Sequence, residues 1–227
     1  MPNLDSMLLK PLFTFLTGRA RHNDRPWFQE RKATYDQLRA RFVEDAQFWA
    51  RELAQLDPVL AGPEGRTSIF RIYRDVRFSK NKDPYKTHFS VYFTASAGKE
   101  VDAPGYYLQL GPNGGTLIAG GLYQPDKTQL AAIRQEIDYN AEALKPLLSA
   151  PDFQRYFGPM GGDKLKKAPA NYPADHPEIE LLRHKNFIAT HHMTDAAVLN
   201  HEDFRAYVLE VFRALVPFCQ FLREAIA

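Results

Sequence analysis

The chain has 227 residues, of which 44% are hydrophobic, 13% aromatic and 25% charged, and its formal net charge is +2. This composition excludes a chain that is disordered over most of its length, and it supplies enough apolar side chains for one sizeable core. The nearly balanced charge also argues against a dedicated nucleic-acid domain. We therefore expect a single domain over residues 1–227, with its core between about residues 12 and 222.

Cysteine usage and the apolar segments predict a cytoplasmic protein. Cys219 is the single cysteine, so no disulfide forms within the chain, and we interpret it as a core residue on a helix. The apolar stretch Leu8–Leu16 is interrupted by Lys10 and Pro11, unlike a signal peptide. No segment reaches the roughly 18 apolar residues of a membrane span, so no membrane association is expected.

The first quarter of the chain has helical spacing. Leu8–Leu16 predicts a short amphipathic helix with Pro11 in its first turn. The apolar residues of Pro26–Leu56 recur three, four and seven positions apart, which predicts one long helix that begins at a proline. Asp57-Pro58 is expected to end this helix.

The middle of the chain changes to the alternation of strands. The predicted strands are Phe70–Phe78, Thr87–Phe93, Gly105–Leu110 and Thr116–Leu122. Asn113-Gly114 separates the last two and predicts a tight hairpin. Gly120-Gly121 predicts a bulge or a close backbone approach. Strict alternation would place Arg74 on an apolar face, so it requires either a bulge or a buried ion pair.

Helical spacing returns after Pro125. Asp126 is expected to cap a helix that contains Ile137. Asn200 is expected to begin the final helix, with Asp203 completing a capping box. Further predicted elements are helices over Asn140–Leu148 and Pro151–Phe157, a long loop over Gly158–Pro177 and a strand over Phe187–His192. This order predicts an α+β fold, in which a mostly antiparallel sheet of about four to six strands is packed with helices from the N- and C-terminal parts.

Three segments, together with Trp27-Phe28, resemble a known family. The segments are Arg71–Lys86, then Gly105–Leu110 followed by Gly120–Pro125, then Leu165–Pro169 with Asp175–Pro177. On these residues the chain resembles the conserved-hypothetical family called domain of unknown function 2461, from about Leu12 to Leu222. The resemblance implies one domain and implies no activity. Asn81 departs from the family's pattern, where an aspartate is expected, so the resemblance does not carry a metal-binding or basic role over to this position.

Basic residues are concentrated between Arg66 and His88. Seven Lys or Arg stand against two Asp, so this stretch carries +5 and leaves the rest of the chain at −3. Guanidinium groups bind carboxylates and phosphates through paired hydrogen bonds, and lysines add point charges. The alternative is a solvated turn in which Asp75 neutralises a neighbouring arginine. The candidate ligand-binding residues are Arg71, Arg74, Asp75, Arg77, Lys80, Lys82, Tyr85 and Lys86.

The loop Gly158–Pro177 is the second candidate, as a lid over the first site. Its proposed lid residues are Lys164, Lys166, Lys167 and His176; an exposed loop shaped by prolines is the alternative. His184, His191, His192 and His201 fall within 18 residues. His191 and His192 would point to opposite sides of a strand, so neither a metal site nor a cofactor is predicted. Nucleophile, phosphate-loop and dinucleotide motifs are not found.

Three functions remain open. The first is binding of an anionic small molecule that carries phosphate or carboxylate. The second is an enzyme acting on such a substrate, with Tyr85, Asp75 or His192 in proton transfer. The third is a nucleic-acid or protein adaptor that uses the basic face; the net charge of +2 makes nucleic acid the weaker partner. A closed cleft would favour the first two functions, and a flat basic sheet the third.

Overall fold

The computed structural model describes residues 4–96 and 103–227, and side chains from residue 9 onward. The N-terminal helices are α1 (Leu4–Arg21), α2 (Arg25–Glu30) and α3 (Lys32–Leu56). The carboxylate of Asp24 caps α2 by accepting a hydrogen bond from Trp27 N at 2.9 Å. The prediction of one helix over Pro26–Leu56 is wrong in one respect, because Arg31 interrupts it with φ −110° and ψ 15°. Pro11 lies well inside α1 and not in its first turn.

Five antiparallel strands form one meandering sheet. They are β1 (Gly65–Ile69), β2 (Phe89–Ala95), β3 (Gly105–Leu110), β4 (Thr116–Leu122) and β5 (Phe187–Met193), and they lie in this order across the sheet. The register sets Tyr92 opposite Tyr107, Tyr107 opposite Ala119, and Ala119 opposite Thr190. Directly paired residues point to the same side of a sheet, so these four side chains form a row across one face.

The other face of the sheet forms the core. Val91, Phe93 and Tyr106 are buried there, and the ring of Phe212 lies 5.9 Å from that of Phe93 and 5.5 Å from that of Tyr106. Phe212 belongs to α8 (Phe204–Ala225), which packs mainly on β4, and α3 packs on α8 and on β1 and β2. The row that begins at Tyr92 therefore lies on the face that α3 and α8 leave uncovered.

The predicted hairpin between β3 and β4 is confirmed. Asn113 and Gly114 have φ of 59° and 70°, and a type I′ turn requires positive φ at both of these positions. The predicted close backbone approach is also present. Gly121 has φ 113°, and a Cβ at this position would lie 2.1 Å from the carbonyl oxygen of Phe187.

The later helices are α4 (Lys127–Ser149), α5 (Pro151–Phe157), α6 (Ile179–Leu182) and α7 (Asp195–Leu199), followed by α8. Asp126 caps α4 as predicted. The expected separate helix at Asn140 is instead the second part of α4, after a kink at Asn140 with φ −143° and ψ 43°. The last helix begins at Phe204, because Asp203 and not Asn200 supplies its cap; the Asp203 carboxylate accepts from Ala206 N at 3.0 Å.

The predicted strand Phe70–Phe78 is wrong, whereas the α+β fold with an antiparallel sheet is confirmed. Phe70 N still donates to Ser90 O at 3.0 Å, but the chain then forms a loop whose one bridge joins Tyr73 and Tyr85. Phe78 cannot continue a half-buried strand, since its side chain is 95% exposed. None of the helices in the described residues is both long and apolar enough to cross a membrane.

Candidate functional site

The loop between β1 and β2 carries the predicted basic residues. Arg74 N donates to Pro84 O at 2.9 Å and holds the two arms of the loop together. Asn23, which follows α1, accepts from Tyr85 N at 3.0 Å and donates to Tyr85 O at 2.9 Å. The loop is therefore anchored to the helical layer. Its exposed charged residues are Arg71, Asp75, Arg77, Lys80, Lys82 and Asp83.

Three basic side chains of this loop bind acceptors in the loop itself. Arg77 forms an ion pair with Asp75 at 2.6 Å, and hydrogen bonds from Arg77 lower the pKa of Asp75 to about 2. Arg74 and Lys82 donate to backbone carbonyls of the loop at 3.3 Å and 3.0 Å. The Arg77 side chain is nevertheless 77% exposed. These contacts shape the loop and leave its charges in solvent, where ion pairs contribute little to stability.

Arg71, Lys80 and Lys86 have neither a hydrogen bond nor an ion pair within the described part of the chain. Lys86 alone among these three is half-buried, and its Nζ lies 5.0 Å from the centroid of the Phe70 ring. Burial, assisted by the charge of Arg71, lowers the pKa of Lys86. A cation that has lost part of its hydration interacts more strongly with an anion than a solvated one does.

Tyr85 is a core residue and not an exposed ligand group. Its side chain is 3% exposed, and its ring stacks on that of Phe28 at a centroid distance of 4.4 Å. Burial raises the pKa of the phenol. Tyr85 therefore anchors the loop, and the structure separates it from the exposed charges among which the sequence placed it.

The second predicted segment lies at the opposite edge of the sheet. Lys164 forms a bridge with His184, just before β5, and His176 Nε2 lies 2.8 Å from Asp138 Oδ1 of α4. Four strand spacings, about 19 Å, separate β5 from β1. The structure thus does not bring Lys164, Lys166, Lys167 and His176 onto the Arg71–Lys86 loop.

The four histidines of the C-terminal region do not converge on one site. His191 and His192 point to opposite sides of β5: His191 Nε2 lies 2.7 Å from the Tyr207 hydroxyl, whereas His192 is exposed. His184 is 2% exposed, and its burial lowers the pKa of the imidazole to about 4. Within residues 4–96 and 103–227, no group of three or more His, Cys, Asp or Glu could hold a metal ion.

A cleft of about 800 Å³ lies on the sheet face that α3 and α8 leave uncovered. The row of Tyr92, Tyr107, Ala119 and Thr190 forms its floor. The other lining residues are Phe70, Gln109, Leu117, Gly120 and Ile188 on or next to the strands, and Tyr123, Gln124, Asp126 and Gln129 between β4 and α4. The lining is mainly aromatic and apolar, with a few polar groups among it, as is typical of small-molecule sites.

Several polar groups of the cleft already have protein partners. The Tyr107 hydroxyl donates to Gln109 Oε1 at 2.9 Å, and Gln109 Nε2 donates to Gly115 O at 2.8 Å. The Asp126 carboxylate accepts from Gln129 N at 2.8 Å as the cap of α4. These bonds hold the side chains in place, and they engage the one carboxylate found in the lining.

Phe70 joins the cleft to the basic loop. Its ring contacts that of Tyr107 edge to face, at a centroid distance of 6.2 Å. The Lys86 ammonium lies 5.0 Å from the same Phe70 ring. A partly desolvated positive charge therefore stands at the β1 edge of an aromatic cleft.

Sequence reasoning missed this cleft. One signal was available in the strands. Tyr92 and Tyr107 alternate with core residues, and they are large rings at positions where a solvated sheet face carries polar side chains. That signal is weak, since a second helical layer would bury the same rings. The density of charge in the sequence marks only the edge of the cleft, at Lys86.

Comparison with known proteins identifies a family and no activity. The family model described as a conserved hypothetical protein (DUF2461) matches residues 11–221. No match was found among curated proteins or among solved structures. The matched range includes all five strands, the β1–β2 loop and every residue that lines the cleft. The chain therefore belongs to the DUF2461 family of conserved hypothetical proteins.

Proposed function

We propose that the protein binds a small organic molecule that combines a flat apolar body with an anionic phosphate or carboxylate group. The body lies on the rings of Tyr92 and Tyr107, and the anionic group meets Lys86 at the β1 edge. The observation that carries this proposal is the cleft of about 800 Å³ beside a half-buried lysine. Pockets for small molecules commonly measure about 300–1,000 Å³.

The character of the lining supports binding over catalysis. Aromatic floors contribute stacking and apolar contact, and a partly desolvated ammonium selects for negative charge. General acid–base chemistry needs a carboxylic acid, histidine or similar group free to transfer a proton. The lining contains no histidine within the described residues, and Asp126 is engaged as a helix cap. The hydroxyls of Tyr92, Tyr107 and Tyr123 also have protein partners. A nucleic-acid adaptor is less favoured for a different reason. This sheet face forms a cleft and carries few charges, whereas nucleic-acid binding needs an extended basic surface.

We also propose a cytoplasmic location. The single cysteine, Cys219, is fully buried, and burial raises the pKa of its thiol to about 12. A chain that has one inert thiol and no disulfide suits a reducing compartment. Expression of the intact chain with a fluorescent tag at its C-terminus, followed by cell fractionation, tests this location.

A pair of fluorescent probes tests the binding proposal. Anilinonaphthalene sulfonate combines an aromatic, apolar body with an anionic group, and phenylnaphthylamine has nearly the same body without the charge. Both probes are expected to bind the wild type with a blue shift. Ala119→Phe places a ring in the middle of the cleft floor and is expected to abolish binding of both.

Lys86→Met then separates the anion requirement from the apolar one. This variant is expected to weaken sulfonate binding about fivefold to tenfold, equivalent to about 1 kcal/mol, and to leave the uncharged probe unaffected. Lys80→Met is the matched control, because Lys80 is an exposed lysine of the same loop. Unchanged probe binding in a folded Ala119→Phe variant would place the probes elsewhere and refute the proposal.

A further inference from the structure

Gln124 has a backbone conformation that both its residue type and its neighbour disfavour. Its φ is 52°, in the left-handed region that residues with a side chain rarely adopt. Pro125 follows it, and a residue before a proline is pushed toward extended conformations with negative φ. Such a conformation persists only where surrounding contacts enforce it, so Gln124 is held by other parts of the fold.

Asn186 provides that contact from beside the neighbouring strand. Gln124 N donates a 2.7 Å hydrogen bond to Asn186 Oδ1. The register pairs Leu122 with Phe187, so the segment that follows β4 lies beside the segment that precedes β5. Asn186 is half-buried. The conformation of Gln124 is therefore fixed by a residue that is 62 positions away in the chain, and not by the local turn.

The position of Gln124 distinguishes it from other residues with the same backbone feature. Among non-glycine residues in the described part of the chain, Asn113 and Asn171 also have positive φ, of 59° and 72°. Asparagine adopts this region more readily than glutamine does, and Asn113 lies in a turn that requires it. Gln124 alone of the three lines the cleft. Strained backbone is common where proteins hold ligands, which points to a role of Gln124 in the cleft.

The Gln124 side chain retains an unused hydrogen-bond acceptor. Its Nε2 donates to the Tyr123 hydroxyl at 3.2 Å, whereas its Oε1 has no hydrogen-bond partner within residues 4–96 and 103–227. Gln109 of the same cleft differs, because its Oε1 already accepts from the Tyr107 hydroxyl. The amide oxygen of Gln124 can therefore accept a hydrogen bond from an N–H or O–H group of a ligand.

This acceptor and the cation at Lys86 belong to different ends of the cleft. Phe70, whose ring lies 5.0 Å from Lys86 Nζ, directly follows β1, whereas Gln124 follows β4. Three strand spacings, about 14 Å, separate β1 from β4. A ligand that meets both groups is therefore elongated, with its anionic group and its hydrogen-bond donor at opposite ends.

We propose that Gln124 determines which ligands the cleft prefers, by accepting a hydrogen bond from an N–H or O–H group at the end of the flat body remote from the anion. This inference rests on the binding function proposed above and narrows its ligand to an elongated aromatic anion with a distal amino, amide or hydroxyl group. Asn186 is then a positioning residue, because it fixes the backbone that carries the Gln124 side chain.

Two stilbene carboxylates that differ in one group test this preference. The parent compound is flat and elongated, with a carboxylate in the para position of one ring, and its analogue adds an amino group in the para position of the other ring. Calorimetric titration of the wild type is expected to show about fivefold tighter binding of the amino compound. Gln124→Gly should bind the two compounds equally. Asn171→Gly makes the same backbone change at an exposed position outside the cleft and should keep the fivefold difference.

Thermal unfolding and the Asn186 variants separate this role from a structural one. Glycine adopts positive φ without steric cost, so Gln124→Gly is expected to unfold at a temperature no lower than that of the wild type. Asn186→Ala should lose the preference for the amino compound, and Asn186→Asp should retain it, because a carboxylate still accepts from Gln124 N. Equal binding of the two compounds to the wild type, or an undiminished preference in Gln124→Gly, would overturn this role and leave the cleft proposal standing. Failure of both compounds to bind the wild type would contradict both proposals.

Discussion

The hydroxyl of Tyr106 donates a 2.6 Å hydrogen bond to Oδ2 of Asp57, deep in the core. Arg223 Nη2 lies 2.6 Å from the same carboxylate oxygen. Asp57 is 1% exposed and Tyr106 0% exposed. Asp57 follows α3, Tyr106 lies on β3 and Arg223 lies in the last turn of α8, so one buried carboxylate ties the two main helices to the middle strand of the sheet.

Asp57→Asn is expected to lower the free energy of unfolding by about 3 kcal/mol, because it preserves the shape of the side chain but leaves the Arg223 guanidinium without its charge partner. Urea unfolding followed by circular dichroism measures the loss. Asp175→Asn, at an exposed loop position, makes the same chemical change and is expected to alter stability by less than about 0.5 kcal/mol. Similar stabilities of the two variants would show that the buried pair contributes nothing.

Asp195 holds the hairpin turn from outside the hairpin. Its two carboxylate oxygens accept from Asn113 N and Gly114 N, each at 2.8 Å. Asp195→Ala is expected to cost about 2 kcal/mol, since hydrogen bonds to charged groups contribute more than neutral ones. Hydrogen exchange of the Asn113 and Gly114 amides should accelerate more than that of the strand amides around them. Equal acceleration throughout β3 and β4 would indicate global destabilisation instead of a local role.

Two glycines with positive φ allow the cost of a left-handed backbone conformation to be measured separately from the cost of a steric clash. Gly114 has φ 70° and open space where a Cβ would lie, whereas a Cβ on Gly121 would lie 2.1 Å from the Phe187 carbonyl oxygen. Gly114→Ala is expected to cost about 1 kcal/mol from the left-handed conformation alone. Gly121→Ala should cost more than about 3 kcal/mol, because β4 and β5 must separate. Denaturant unfolding measures both, and equal losses would contradict the predicted clash.

His184 predicts a dependence of stability on pH. Burial, with the charge of Lys164, lowers its pKa from 6.5 to about 4 in the folded protein. Between these values the unfolded chain binds a proton that the folded one does not, so stability falls as the solution becomes more acidic. The contribution lost between about pH 7.5 and about pH 5 is about 2 kcal/mol. Urea midpoints of the wild type and of His184→Gln measure it; the variant should show a shallower slope, and parallel slopes would exclude His184 as the cause.

Local signals in the sequence were sufficient for several elements of the fold. Asn113-Gly114 predicted its turn because only a few residue types accept two successive left-handed conformations. Asp126 predicted a helix start because a carboxylate satisfies free N–H groups at that end. In both cases the physical cause acts within a few residues, so a short stretch of sequence contains it.

The loop Phe70–Phe78 shows where such signals fail. Its apolar residues alternate as in a strand, yet a strand forms only where another one supplies hydrogen bonds, and β2 begins at Phe89 and pairs with β1 only as far as Ile69. Beyond that point the loop is anchored by the hydrogen bonds between Asn23 and Tyr85 and by the stacking of Tyr85 on Phe28. The sequence therefore shows that the charged residues are dense in this segment, but the conformation of the loop determines which acceptors they bind.

Charge, composition, the helix cap at Asp126 and the hairpin turn at Asn113-Gly114 could be predicted from the sequence itself, because each depends on residue chemistry or on contacts between near neighbours. The cleft was decided only by tertiary structure. Tyr92 and Tyr107 line it because α3 and α8 pack on the opposite face of the sheet. That arrangement depends on which surfaces meet between segments that are far apart in the chain, and no short stretch of sequence contains this information.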